Sequence, residues 1–193
     1  EDRKKEIEDK LISECEEKYK SAIAILERVS KDNPQACLQN LMWAYDNLAS
    51  IYENAQRFTE SLEMYKAAIA IRERLAKENP QAYESNLIQL YNKLARLYKE
   101  TQNYAESEEM YKSAIAIFER LSIENPKYCR SYHTSSYFFL ANIYKNAQRF
   151  SECEELYKSA IVTYERLAKE NPQDFESAVI SEYMNLADLY EDT

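Results

Sequence analysis

Apolar residues recur along the chain in two alternating registers. In the stretches 41–58, 87–104, 133–150 and 179–190 they fall at i, i+3, i+4 and i+7. Tyr45, Leu48, Ala49 and Tyr52 open the series, followed by Leu94, Ala95 and Tyr98, by Leu140, Ala141 and Tyr144, and by Leu186, Ala187 and Tyr190. That period puts each set on one helix face. Between these stretches stands a second phrase, "YKSAIAIFERLSIENP" in its copy at Tyr111, with near-identical copies starting at Tyr19, Tyr65 and Tyr157, 46 residues apart each time. In one copy Ser61, Tyr65, Ala68 and Leu75 form a stripe that Met64, Ile69 and Ile71 widen. An arc that broad needs helical neighbours on two sides. A constant period of this size predicts a helical repeat array, whose units bury their apolar faces only by stacking.

The breaks between helices are equally regular. Pro34, Pro80, Pro126 and Pro172 are the only prolines and follow Asn33, Asn79, Asn125 and Asn171, the pattern of an N-cap with proline at the first helical position. At "NAQRFTE", "ETQNYAE" and "NAQRFSE" the chain turns within a few residues, so the flanking helices are antiparallel, and Thr59 and Ser151 are expected to cap the helix that follows. Ala49, Ala95, Ala141 and Ala187 face the positions of Ala68, Ala114 and Ala160, where larger side chains would push the pair apart at roughly 1–3 kcal/mol. The array is expected to be one domain over 1–193. A long helix occupies 1–33 (from about Glu6 to Lys31), hairpin repeats occupy 34–79, 80–125 and 126–171, and a first helix without its second occupies 172–193.

Composition sharpens the fold class and narrows the function. The 193 residues contain no glycine, which points to an all-α chain with very short turns. No run of 18 or more apolar residues is present, so no membrane span is expected. The net charge is −9, and basic residues never run beyond three, which argues against nucleic acid as a partner because phosphate neutralisation supplies most general affinity for it.

Candidate chemistry dissolves into the repeat. Cys37 and Cys129 share one repeat position with Tyr83 and Phe175, while Cys15 and Cys153 share the small-residue position of Ser61 and Ser107. Residues a repeat or more apart are at least about 10 Å apart in stacked hairpins, too far for a disulfide. Free structural thiols fit a reducing, cytoplasmic compartment. His133, the one histidine, has no second ligand or base at helical spacing, so neither a zinc site nor an activated nucleophile is expected. The chain reads as a non-enzyme without cofactor or metal.

Taken together, Tyr45, Leu48, Ala49, Tyr52, Phe58, Ser61, Tyr65 and Ala68, with their counterparts in the later hairpins, resemble the tetratricopeptide repeats, in the long-helix form of the kinesin light chain type. The period exceeds the usual ~34 residues by about a dozen, so both helices should run to about 20 residues or ~30 Å. Gln56, Gln102 and Gln148 stand where the family commonly has glycine. The resemblance implies hairpins stacked as a right-handed α-solenoid whose first helices line a concave groove. It implies a protein–protein interaction scaffold that binds a peptide or protein segment there.

On that face stand Trp43, Asp46, Ser50 and Glu53; Gln89, Asn92, Arg96 and Lys99; Ser135, Phe138, Asn142 and Lys145; and Ser181, Met184 and Asp188. Arg96, Lys99 and Lys145 make the groove's middle basic, Trp43 and Phe138 offer aromatic anchors, and Asn92 and Asn142 suit a peptide main chain. An extended or helical segment with acidic and apolar residues is the expected ligand. The carboxylate clamp of some family members is absent, its positions holding Asp46, Ser50, Asn54, Ser135 and Phe139. The alternative is an oligomerisation or assembly module of a larger protein, whose unpaired end helices expose Ile7, Leu11 and Leu189 to a second copy, giving a homo-oligomer, or to a further part of the same protein.

Overall fold

The structure is a computed structural model that describes residues 2–30, 34–129 and 135–191; Lys31, Asn33 and His133 lie outside the described residues. Among these the chain is all helix: α1 Asp2–Val29, α2 Pro34–Asn54, α3 Phe58–Glu78, α4 Pro80–Glu100, α5 Tyr104–Glu124, α6 Pro126–Cys129, α7 Ser135–Asn146, α8 Phe150–Glu170 and α9 Pro172–Glu191. Helices α3, α4, α5 and α8 each have 21 residues, the length expected from the long period. The chain forms two compact units, Glu1–Tyr83 and Glu84–Thr193.

The turns inside the hairpins are identical devices. Gln56, Gln102 and Gln148 adopt φ of 57°, 62° and 56°, the left-handed conformation expected from their place in the turn, at a cost of about 1 kcal/mol each. The return is that freed carbonyls at the helix end are satisfied. Gln56 N–H donates to the Glu53 carbonyl at 2.9 Å and Arg57 N–H to that of Tyr52 at 2.8 Å, and the same pair of bonds recurs at Gln102 and Asn103 and at Gln148 and Arg149.

The following helices start immediately, at Phe58, Tyr104 and Phe150, with Arg57, Asn103 and Arg149 in the cap position and no side-chain cap. Thr59 and Ser151 are therefore already inside their helices and do not cap them. The left-handed residue ends the turn one or two positions earlier than the sequence pattern implies. In place of a cap, Arg57 Nε pairs with Glu60 and Arg149 Nε with Glu152, each at 2.8 Å, in the first helical turn. At the start of α4, Asn79 does cap, its Oδ1 accepting from Ala82 N–H at 3.3 Å.

Close approach of the paired helices is written in small residues. Ala49, Ala68, Ala95, Ala114, Ala141 and Ala160 are all completely buried. Beside them a buried side chain donates across each hairpin to a backbone carbonyl: Ser61 Oγ to Ala49 at 2.8 Å, Ser107 Oγ to Ala95 at 2.7 Å, and Cys153 Sγ to Ala141 at 3.7 Å. Cys153 thus fills the serine position as its register requires. The cysteines are free; Cys37, Cys129 and Cys153 are buried and Cys15 is exposed. In unit 1, Leu38, Met42 and Leu75 pack with Ile71 and Tyr83. In unit 2 the core is aromatic, with Phe118, Tyr137 and Tyr164 in mutual ring contact and Tyr164 stacked on Phe175. Leu11 is exposed as the end-helix reading expects, but Leu189 is buried. It repeats the inward position of Leu97 and Ile143, so it belongs to the packed face of α9. The side chain of Ile7 lies outside the description.

A polar clamp joins a second helix to the hairpin that follows it. Glu16 on α1 accepts from Arg57 Nη1 at 2.6 Å, Lys20 Nζ at 2.6 Å and the Tyr52 hydroxyl at 3.0 Å, and the Arg57 guanidinium lies 4.4 Å from the Tyr52 ring centre. Glu108 on α5 repeats the set with Arg149 at 2.6 Å, Lys112 at 2.7 Å and Tyr144 at 3.3 Å. At the register between them the sequence has Leu62 for the glutamate and Asn103 for the arginine, so both partners change together.

Hydrogen bonds from Lys20 and Arg57 hold Glu16 at a pKa of about 2, and Arg149, then Lys112, hold Glu108 there. A carboxylate depressed in the folded state stabilises the fold above its ordinary value near 4.5, and that contribution disappears as pH falls towards 2. Thermal melts of Glu108→Gln should therefore show a lower midpoint than wild type at pH 7, and the gap should close as the pH is lowered from 4.5 to 2.

Candidate functional site

The first helices carry the residues expected to vary for function, and each unit presents them separately. In unit 1, Trp43 is 62% exposed on α2, its ring tilted against Tyr19 at 5.8 Å between centres. Asp46 serves the fold as well, because it supports the charge of Arg72, which burial disfavours. Ser50 and Glu53 turn inward to one acceptor–donor group. The Tyr65 hydroxyl donates to Glu53 Oε2 at 3.1 Å and lies 3.2 Å from Ser50 Oγ.

In unit 2, α4 exposes Gln89 and Arg96, while Asn92 and Lys99 are half-buried. Asn92 Oδ1 accepts from Ser136 Oγ at 2.6 Å, which ties α4 to α7 and occupies one of the groups expected to face a peptide. Asn142 Nδ2 donates within its own helix to the Phe138 carbonyl at 2.9 Å. Phe138 is 52% exposed. Its ring meets Phe139 edge-on at 5.5 Å, and Phe139 stacks on Tyr111 at 5.7 Å. The Lys145 ammonium sits 6.0 Å from the Tyr157 ring centre, and Met184 on α9 is exposed.

Two features of unit 2 were missed in the sequence. The first is a cavity of about 360 Å³ lined by Lys99, Tyr104, Ile143, Asn146 and Ala147. The second is the hydroxyl of Tyr111, a residue with no exposed surface, which has no hydrogen-bond partner. Burial pushes this phenol up to about 12, against the pull of the nearby Arg96 guanidinium and together with Glu100, so it is a protonated donor at neutral pH. A signal was present: the positions of Ser50 and Glu53, which satisfy Tyr65, are Arg96 and Lys99 one repeat later.

Tetratricopeptide repeat sequence patterns match residues 41–81 and 87–122, and a second such pattern matches 134–162, together more than half of the chain. The chain belongs to the tetratricopeptide repeat family. Repeats of this family generally mediate protein–protein interaction. No curated protein matches the chain in sequence. Among solved structures it is similar to BtubC (BKLC) from P. vanneervenii, with a TM-score of 0.59 and 22% identity over 94% of this chain. It spans 66% of the length of BtubC, and the likeness shows the fold alone. A second similar structure contains the nearly identical TPR-like repeats of a kinesin light chain candidate from Podosopora anserina, at a TM-score of 0.48 and 16% identity, covering 92% of each chain. Among the described residues no helix is long and apolar enough to cross a membrane.

The two tyrosines make a measurable contrast within these tetratricopeptide repeats. Tyr65→Phe removes a bonded hydroxyl and should cost about 1 kcal/mol, whereas Tyr111→Phe removes an unsatisfied one and should be neutral or stabilising by up to about 1 kcal/mol. Urea unfolding followed by circular dichroism reads both.

Proposed function

We propose that the first-helix face of unit 2 is a peptide-binding groove for a protein segment carrying acidic and apolar residues. The observation that supports this most is the exposure of Phe138 on α7, in an aromatic chain through Phe139 to Tyr111. Large apolar residues that repeat packing does not require, rimmed by charge, mark interaction surfaces. Arg96, Lys99 and Lys145 supply that charge, and Gln89, Asn142 and Met184 complete the face. On α2 in unit 1, the exposed Trp43 and the half-buried Asp46 form a separate patch for an apolar side chain. Binding is expected to come mainly from an apolar side chain against Phe138, with charge setting orientation and encounter rate.

A second reading is self-assembly. Ile180, Tyr183 and Met184 on α9 are 59%, 50% and 61% exposed, and Ile180 borders a cavity of about 490 Å³ with Glu165, Lys169 and Val179.

Peptides selected on the wild-type protein from a random library should be enriched in acidic and apolar residues. They should bind at least tenfold more weakly to Phe138→Ala and to Arg96→Glu, variants with unchanged helical signal. Equal affinity for wild type and both variants would remove the groove reading. A mass by light scattering that rises with concentration and falls in Ile180→Lys would favour assembly.

A further inference from the structure

In the hairpins α2–α3, α4–α5 and α7–α8, the second helix turns one small-residue face onto the first. Ser61, Ser107 and Cys153 on that face are fully buried, as are Ala68, Ala114 and Ala160. Helix α1 carries the same phrase one period earlier, with Cys15, Tyr19, Ala22 and Val29 at the positions of Ser61, Tyr65, Ala68 and Leu75. Here the face is open. Cys15 is exposed, Tyr19 and Ala22 are half-buried, and Val29 is 40% exposed where Leu75 is 3%. The other side of α1 is engaged with α2, since Glu27 accepts from the Tyr45 hydroxyl and Glu16 from that of Tyr52.

Helix α9 shows the complementary gap. It is seated against α8 by the stack of Phe175 on Tyr164, by the Tyr183 hydroxyl donating to Glu165 at 2.8 Å and by that of Tyr190 donating to Glu154 at 2.7 Å. The face that α2, α4 and α7 give to a second helix is bare on α9. Ala187 is exposed where Ala49, Ala95 and Ala141 are fully buried, and Ile180 is exposed where Met42 and Ile88 are buried. One end helix therefore presents the second-helix half of the hairpin contact, and the other presents the first-helix half.

We infer that α9 of one copy pairs with α1 of the next, making between copies the contact that each hairpin makes within the chain. The inference rests on the self-assembly reading and names the two faces that meet. Three matches fall at a single register. The Cys15 thiol meets the Ala187 carbonyl as the Cys153 thiol meets that of Ala141, at 3.7 Å. Val29 meets Ile180 as Leu75 packs with Met42. The Tyr19 hydroxyl meets Asp188 and Glu191, which stand at the positions of Ser50 and Glu53, the partners of the Tyr65 hydroxyl. A second copy is the occupant because the helix that α9 requires, with small, aromatic and small residues in this spacing, is one the chain itself holds open. The two faces differ, so the contact is heterologous and leaves one free face of each kind at the ends of a linear assembly.

The test uses sedimentation velocity on the 193-residue chain together with N-ethylmaleimide labelling of Cys15. Wild type should sediment above the monomer mass of 22.8 kDa as concentration rises to millimolar, with Cys15 labelled at least tenfold more slowly than in dilute solution. Ala187→Arg and Ala22→Arg block one face each, because an arginine cannot fit where two helices approach through alanines. Each variant should be monomeric alone with an unchanged helical signal. Mixed, the two should form a 1:1 dimer, in which Cys15 is protected in the Ala187→Arg chain and reactive in the Ala22→Arg chain. Ile180→Lys and Val29→Glu, at exposed sites, should repeat this result. A wild type that assembles while the variants assemble equally well alone, or fail to combine when mixed, would overturn the α9–α1 pairing and leave self-assembly through another face. A wild type that stays monomeric with Cys15 open at every concentration would overturn both.

Discussion

Each hairpin depends on one close approach, in which a small buried side chain on the second helix donates to a backbone carbonyl of the first. Ser61 reaches Ala49, Ser107 reaches Ala95 and Cys153 reaches Ala141. The alanines on both helices must be small for the axes to come this near, and the bond fixes which turn of one helix meets which turn of the other. Once that register is set, the inward positions of each first helix are committed. The positions on the other faces of that helix are left free to differ.

The polar clamps and the tyrosine column show how that freedom is used. On one side, Glu16 with Arg57 and Glu108 with Arg149 repeat the same ion pair, while Leu62 and Asn103 change together at the register between them. On the other, Ser50 and Glu53 give way to Arg96 and Lys99 without any change in the tyrosine behind them. The backbone turns are the same in all three hairpins, down to the left-handed glutamine. The repeat therefore tolerates exchange of its electrostatics without altering its geometry, as expected when packing and backbone bonds hold the fold and surface charges contribute little to it.

Much of this was legible because it is periodic. The 46-residue phrase, the lengths of α3, α4, α5 and α8, the antiparallel turns, the strained glutamines and the place of Cys153 all follow from local pattern and from comparing one repeat with the next, whereas the 12 residues of α7 do not. The misread parts depend on partners distant in sequence or on the fine position of a helix start. Thr59 and Ser151 look like caps until Gln56 and Gln148 are seen to end their turns early, and Leu189 looks exposed until α9 is packed. Asn92, expected to face a peptide, also has a partner the sequence did not indicate, its side-chain oxygen accepting from Ser136. The Tyr111 hydroxyl escaped notice because lacking a partner is a property of three dimensions, although the exchange of Ser50 and Glu53 for two cations was already visible.

The account holds that a common framework presents a recognition face on the first helices of unit 2. Its most direct test is amide and methyl chemical-shift mapping while an acidic, apolar peptide is titrated into the labelled protein. The account predicts shifts concentrated at Arg96, Lys99, Tyr104, Tyr111, Phe138 and Ile143, with the opposite face near Glu108, Lys112 and Glu155 unchanged. Shifts centred on Glu108 and Lys112, with α4 and the exposed face of α7 silent, would contradict it.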